Sequence, residues 1–182
     1  MKNRKILLVA RPRGTPVLED FRLVEEEVPG LVAGQFLIRH THLGLAPAAR
    51  LRMSESKDSY ASPMALGDVV YGQAVGQVVA SRHGAFRVGD SVMSFAAGWQ
   101  DYSVSSGEKV FAIDERVAPA TIWLSALGTS GMTAWYGLRE FGQPRPGDTA
   151  LVSAAAGAVG AVAGQIAKIQ GCRVVGIAGG KA

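Results

Sequence analysis

Thr149 to Lys181 reads TALVSAAAGAVGAVAGQIAKIQGCRVVGIAGGK, and this stretch constrains the fold more than any other. A short apolar strand begins at Thr149 and runs through Leu151 and Val152. Small residues and two glycines follow, Ser153 to Gly157 and then Gly160. From Ala158 to Gln170, Val159, Val162, Ala163, Ile166 and Ile169 recur at the spacing of a buried helical face. Gly171 suits a helix stop, and Cys172–Ala178 forms a second apolar strand. Strand, glycine turn, helix and strand in this order make one βαβ unit.

The unit has a chemistry of its own. Small residues let a backbone approach a pyrophosphate, and a helix N-terminus offers free N–H groups and partial positive charge to phosphate oxygens. The dinucleotide fingerprint is G-x-G-x-x-G; Ala155 stands here at the first glycine's position, giving A-x-G-x-x-G. An NAD site normally carries Asp or Glu at the end of the second strand, to hold the ribose 2′-OH. This strand instead ends in Ala178-Gly179-Gly180-Lys181. The glycines leave room and the lysine adds charge, which favours the 2′-phosphate of NADPH over NADH. Two plainer readings stand beside this one: small residues serving only close helix–sheet packing, and Lys181 as a solvated loop lysine.

Upstream, residues 4 to about 113 read as short strands punctuated by turns. Arg4–Ala10 and Phe21–Glu27 are strand candidates on either side of Arg13-Gly14-Thr15-Pro16. In Gln35–Leu43, alternation puts Phe36, Ile38, His40 and His42 on one face. Leu51–Leu66 is polar and reads as a surface loop. Val69–Ser81 is a strand interrupted by Gly72 and Gly76, which mark bends, bulges or close backbone approach. Ser91–Phe95, Trp99–Val104 and Lys109–Ile113 add three strands, and together they predict a small barrel or sandwich. Helical spacing then appears in Pro119–Leu127 and Ser130–Phe141. The expected division is a β domain over residues 1–118 and an α/β domain over 119–182.

Composition excludes several classes. The chain has 182 residues, 48% hydrophobic and 19% charged, with a formal charge of +4. The only dense basic run, around Arg11 and Arg13, has no interleaved aromatics, so a nucleic-acid partner is not expected. No run approaches the roughly 20 apolar residues of a membrane helix. The apolar core Ile6–Ala10 is too short for a signal peptide. The single cysteine, Cys172, fits a reducing cytoplasm and reads as a small buried hydrophobe. A zinc site would need cysteine and histidine ligands together; no cysteine lies near His40 and His42, which read as structural, and no metal is expected. Neither a G-x-S-x-G elbow nor a Walker A loop is present. Trp99 reads either as core or as a wall of a substrate pocket.

SAAAGAVGAVAGQIAKIQGCRVVGIAGG, the preceding LGTSGMTAWYGL, GWQDY at 98–102 and the opening NRKILLVARPRGTP together resemble the zinc-independent medium-chain dehydrogenase/reductases. The most similar branch is the NADPH-dependent alkenal/one oxidoreductases, which includes prostaglandin, leukotriene B4 and curcumin reductases. The resemblance implies a β-rich GroES-like domain followed by the first part of an α/β Rossmann domain, with the active site in the cleft between them. It implies NADP(H) as cofactor and a small-molecule enone as substrate. Hydride would go to the β-carbon and a proton to the α-carbon.

By the same resemblance, Thr129–Thr133 would lie along the nicotinamide, with Thr133 a polar contact. Ala156, Gly157, Ala158, Val159 and Gly160 would hold the pyrophosphate. Gly179, Gly180 and Lys181 would lie near the 2′-phosphate, Lys181 standing in for a lysine the family places slightly later. The family's chains are longer, so this one is expected to carry an N-terminal half, with the remaining catalytic residues outside it and homodimerisation a property of the intact protein. The branch often has Asp-Pro-Tyr-Met-Arg where this chain has Ala46-Pro47-Ala48-Ala49-Arg50, which implies an altered or widened substrate pocket. Two alternatives stay open: an inactive truncated fragment, and a quinone oxidoreductase of the same superfamily.

Overall fold

The computed structural model describes residues 1–55 and 62–180 and divides into two units, Met1–Ala120 and Thr121 onward. In the first unit, Lys2–Leu8 (β1) and Phe21–Glu27 (β2) pair antiparallel, Lys2 opposite Glu27 and Leu8 opposite Phe21. Charges of opposite sign face each other across this hairpin: Lys2 reaches Glu25 at 2.6 Å and Lys5 reaches Glu26 at 2.5 Å. Such cross-strand pairs favour one register over its neighbours.

Phe36–Gly44 (β3), Gln73–Ser81 (β4), Ser91–Ser94 (β5), Tyr102–Ser105 (β6) and Val110–Ala112 (β7) form a second sheet in the order β6-β3-β4-β5-β7, every neighbouring pair antiparallel. The first hairpin is tied to this unit by main-chain bonds from Ile6 N–H to the Trp99 carbonyl, 2.9 Å, and from Val70 N–H to the Ile6 carbonyl, 2.8 Å. One apolar cluster gathers Phe36, Ile38, Val78, Val92 and Val110, with Phe86 stacked on Phe36 at 4.4 Å between centroids. A second gathers Leu8, Ala49, Met53, Met64 and Val70, flanked by Ile6, Phe21, Tyr71 and Trp99.

Two expectations for this unit are corrected. The regular alternation of Gln35–Leu43 is broken by register shifts between Leu37 and Ile38 and between His40 and His42. Phe36, Leu37 and Ile38 are consequently all buried, and His40 and His42 pair with the adjacent residues Gly76 and Val75, so they do not share one face. The surface-loop reading of Leu51–Leu66 is also wrong in part. Pro47–Arg52 is a short helix (α1) that begins with proline, whose fixed φ suits a first helical turn. Met53 and Met64 on either side of the loop are core residues; residues 56–61 lie outside the described residues.

In the second unit, Ala120–Trp123 (α2) and Thr129–Tyr136 (α3) are helical, and α3 runs on into a wider π-type turn over Gly137–Gly142. Thr149–Val152 (β8) and Arg173–Gly176 (β9) pair in parallel, Thr149 opposite Arg173, with Ala158–Ile169 (α4) as the crossover. α4 packs on α3 and on both strands.

The buried face of α4 differs from the expected one. Ala167 is fully buried and Val162, Ala163 and Ile166 are partly so, whereas Val159 is 40% exposed and Ile169 85%. The expected arc was too wide because α3, β8 and β9 cover only the middle of it. Among the described residues no helix is long and apolar enough to cross a membrane.

Candidate cofactor site

The turn between β8 and α4 is built from small residues under close constraint. Ala154 has φ of 47°, the left-handed region that is rare for a residue with a side chain. This conformation folds the chain back so that Gly157 N–H donates to the Ala154 carbonyl at 2.8 Å. Ala155 N–H donates to the Ile177 carbonyl at 2.9 Å, fastening the turn to the end of β9. Gly157 is the N-cap of α4 and no side chain caps the helix. Its first N–H groups thus have no side-chain acceptor, the arrangement that suits an anion.

Two glycines permit this geometry. A Cβ on Gly160 would overlap the Ala154 carbonyl oxygen and come 2.9 Å from both its carbonyl carbon and the Ala155 Cα. A Cβ on Gly176 would come 2.7 Å from the Ala155 Cβ. Gly160 was among the sequence candidates and Gly176 was not. Its signal was available, a glycine inside an apolar strand run, which marks close approach of another segment.

The other candidates lie in the same unit. Ala156, Ala158 and Val159 border the turn on its exposed side. Thr129 opens α3 after Gly128, and the Thr133 hydroxyl donates to the Thr129 carbonyl at 2.8 Å, one turn back. Its donor is thereby engaged, while its oxygen can still accept. Gly179 and Gly180 follow β9, exposed, with open space where a Cβ would stand. Lys181 lies outside the described residues. Cys172 is buried and its thiol faces the Arg145 carbonyl at 3.4 Å.

In the first unit, a cleft of about 320 Å³ is bordered by Arg4, Leu23, His40, Trp99 and Asp101. His40 is held at both ring nitrogens, Nδ1 by the Gln100 carbonyl and Nε2 by the Ser103 hydroxyl, 2.9 Å each. A carbonyl only accepts, so Nδ1 carries the proton and Nε2 accepts from Ser103. Burial pushes the His40 pKa below its ordinary value, opposed by the Gln100 hydrogen bond and the Asp101 charge. Asp101 receives Arg4 in a two-point contact, 2.7 and 3.1 Å, and that hydrogen bonding holds its carboxyl below the usual range. Trp99 packs against the Leu8 cluster and lies 6.0 Å from the Phe21 ring, so the indole is largely core. Among the described residues no group of three or more His, Cys, Asp or Glu is placed to hold a metal ion.

The family described as the N-terminal domain of oxidoreductase matches residues 4–113, more than half of the chain. The chain is 45% identical over 179 residues to the NADPH-dependent curcumin reductase of Escherichia coli (strain K12), covering 98% of this chain and 51% of that protein. It is 42% identical over 169 residues to prostaglandin reductase 1 of Oryctolagus cuniculus, covering 91% and 46%. The crystal structure of CurA in complex with NADPH from Vibrio vulnificus matches with a TM-score of 0.89 and 44% identity, over 98% of this chain and 52% of that one. The chain spans about half the length of the curated relatives it matches. The first unit is a GroES-like β domain and the second an α/β segment, as in the N-terminal half of CurA. The chain therefore belongs to the medium-chain dehydrogenase/reductase superfamily, in its alkenal/one oxidoreductase branch.

Proposed function

We propose that this chain belongs to an NADPH-dependent reductase of the C=C bond in α,β-unsaturated ketones and aldehydes, and that the β8–α4 turn holds the pyrophosphate of the cofactor. The observation that carries the reading is the uncapped N-terminus of α4, brought against a left-handed Ala154 by the missing Cβ of Gly160. A phosphate oxygen placed there accepts from main-chain N–H groups and meets the positive end of the helix dipole. The side chains of Ala156 and Ala158 are small enough to leave that approach open.

Thr129 and Thr133 on α3 would border the nicotinamide, Thr133 accepting from the carboxamide because its own proton is committed to Thr129. Gly179 and Gly180 would leave room for the 2′-phosphate, and Lys181 would supply its counter-charge. No acidic residue from Cys172 to Gly180 competes for a ribose 2′-OH. When bound, NADPH supplies the hydride that goes to the β-carbon of the enone. Negative charge then develops on the carbonyl oxygen, which needs a hydrogen-bond donor, and a proton completes the α-carbon.

The test is consumption of NADPH by the protein with a 2-alkenal, compared with a quinone and with NADH. Faster turnover of the alkenal with NADPH supports the reading. A preference for the quinone would assign the protein to quinone reduction instead, and a preference for NADH would overturn the cofactor assignment.

A further inference from the structure

In the dinucleotide fingerprint the first glycine serves the tight turn out of the first strand, and having no Cβ it needs no room beside it. Ala155 stands at that position here and is half-buried, so a methyl group must be accommodated where the fingerprint carries none. Two residues without side chains close in on it. A Cβ on Gly160, in the first turn of α4, would come 2.9 Å from the Ala155 Cα. A Cβ on Gly176, the last residue of β9, would come 2.7 Å from the Ala155 Cβ.

The backbone of Gly176 does not itself call for glycine. It lies in the parallel ladder opposite Val152 and is not among the glycines with positive φ. Its chain neighbours aside, the Ala155 Cβ is the one atom among the described residues that a Cβ on Gly176 would meet within 4 Å. The obstacle is therefore a single methyl group, and an alanine Cβ has no rotamer by which to move away. The main chain on either side is tied down. Ala155 N–H donates to the Ile177 carbonyl at 2.9 Å, and Ile177 N–H donates to the Val152 carbonyl at 2.8 Å. A side chain at 176 would thus press Ala155 away from β9 while these bonds hold the strand, and the displacement would pass into the turn that leads to Gly157, the N-cap of α4.

We propose that Gly176 is a positioning residue for the phosphate-binding turn: it leaves the space for the methyl group that Ala155 carries in place of the fingerprint glycine. The role of one glycine is divided between two residues on neighbouring strands. Gly176 acts through Ala155, and what it fixes is the place of the main-chain N–H groups that open α4. The inference rests on the reading of this turn as the pyrophosphate site. Its consequence is an exchange: glycine at 155 with alanine at 176 puts one methyl group into the same space from the other side.

Calorimetric titration with NADPH tests it, on the unaltered chain, Gly176→Ala, Ala155→Gly and the double variant, each well below its own unfolding temperature. Gly176→Ala is expected to weaken NADPH about tenfold, the scale of an overpacked contact. Ala155→Gly alone is expected to stay within about threefold of the unaltered chain. The double variant is expected to recover to within about threefold, because the volume is conserved. A purely structural role would lower the unfolding temperature of Gly176→Ala and leave the affinity of the folded chain unchanged, which would overturn the proposal. If Gly176→Ala does not fold, the double variant carries the test: folding with NADPH affinity restored supports the proposal, and failure to fold or to bind overturns it. Absence of NADPH binding by the unaltered chain would overturn the pyrophosphate reading and the proposal with it. Binding by the unaltered chain without loss in Gly176→Ala, or without recovery in the double variant, would overturn the proposal alone.

Discussion

Gly160 and Ala154 touch across the β8–α4 turn so closely that a single added methyl group on Gly160 would occupy the space of the Ala154 carbonyl oxygen. Ala154 reaches that position only by adopting φ of 47°. The two residues define one feature: an unusual backbone at Ala154 and an absent side chain at Gly160 let α4 begin directly beneath the end of β8. Gly160→Ala is expected to destabilise the α/β unit by about 2 kcal/mol, since the obstacle is backbone rather than a movable side chain. Denaturant unfolding followed by far-ultraviolet circular dichroism measures it, and a loss below about 0.5 kcal/mol would show that the turn can shift at little cost.

Gly76 plays the corresponding part in the β unit. A Cβ there would overlap the Arg39 carbonyl oxygen and lie 2.9 Å from both the Arg39 carbonyl carbon and the His40 Cα. Gly76→Ala is expected to cost about 2 kcal/mol or more and to loosen the β3–β4 pairing. Amide exchange should then accelerate at the main-chain N–H groups that join β3 to β4 around the Arg39–Gln77 and His40–Gly76 pairs.

Leu8 is fully buried where β1, α1 and Val70 meet. Leu8→Ala is expected to cost about 2–5 kcal/mol, from lost transfer free energy and the cavity left behind. Leu18→Ala, at an 87% exposed leucine, is the control and should change stability by less than about 0.5 kcal/mol.

His40 predicts a pH dependence with a definite sign. Its folded pKa is depressed, chiefly by burial, so the folded chain binds fewer protons than the unfolded one. Its contribution is therefore complete above the unfolded value of about 6.5 and declines as pH falls from there toward the depressed folded value. His40→Gln should lower stability at neutral pH by about 1–2 kcal/mol, through loss of its two hydrogen bonds. It should also flatten the weakly acidic part of the stability profile. Nitrogen chemical shifts of the ring should show the Nδ1–H tautomer.

The order of the two units and the βαβ segment was legible because apolar runs, glycine turns and helical periodicity agree there. β8, α4 and β9 fall within a residue or two of their expected bounds. Three features were not legible, each for a physical reason. The bulges in β3 arise from its pairing with β4, and the two-residue period of one strand carries no trace of them. Which side chains of α4 are buried depends on where α3, β8 and β9 lie, so Ile169 satisfies the period yet remains exposed. α1 was hidden in a run of alanines, although Pro47 at its start was a readable sign.

Within the candidate site, Gly157 and Gly160 were legible from the fingerprint spacing. Ala154 was not, because alanine gives no sign of a left-handed backbone. Gly176 signalled close approach but not its partner, which the fold shows to be Ala155.

Calorimetric titration of this chain with NADPH and with NADH, repeated on Gly160→Ala, tests the cofactor assignment most directly. Saturable binding of NADPH, about tenfold tighter than NADH and lost in the variant, is the expected result, one charge-assisted contact to the 2′-phosphate being worth about that factor. Absence of NADPH binding, or NADH binding as tightly as NADPH, would contradict the assignment.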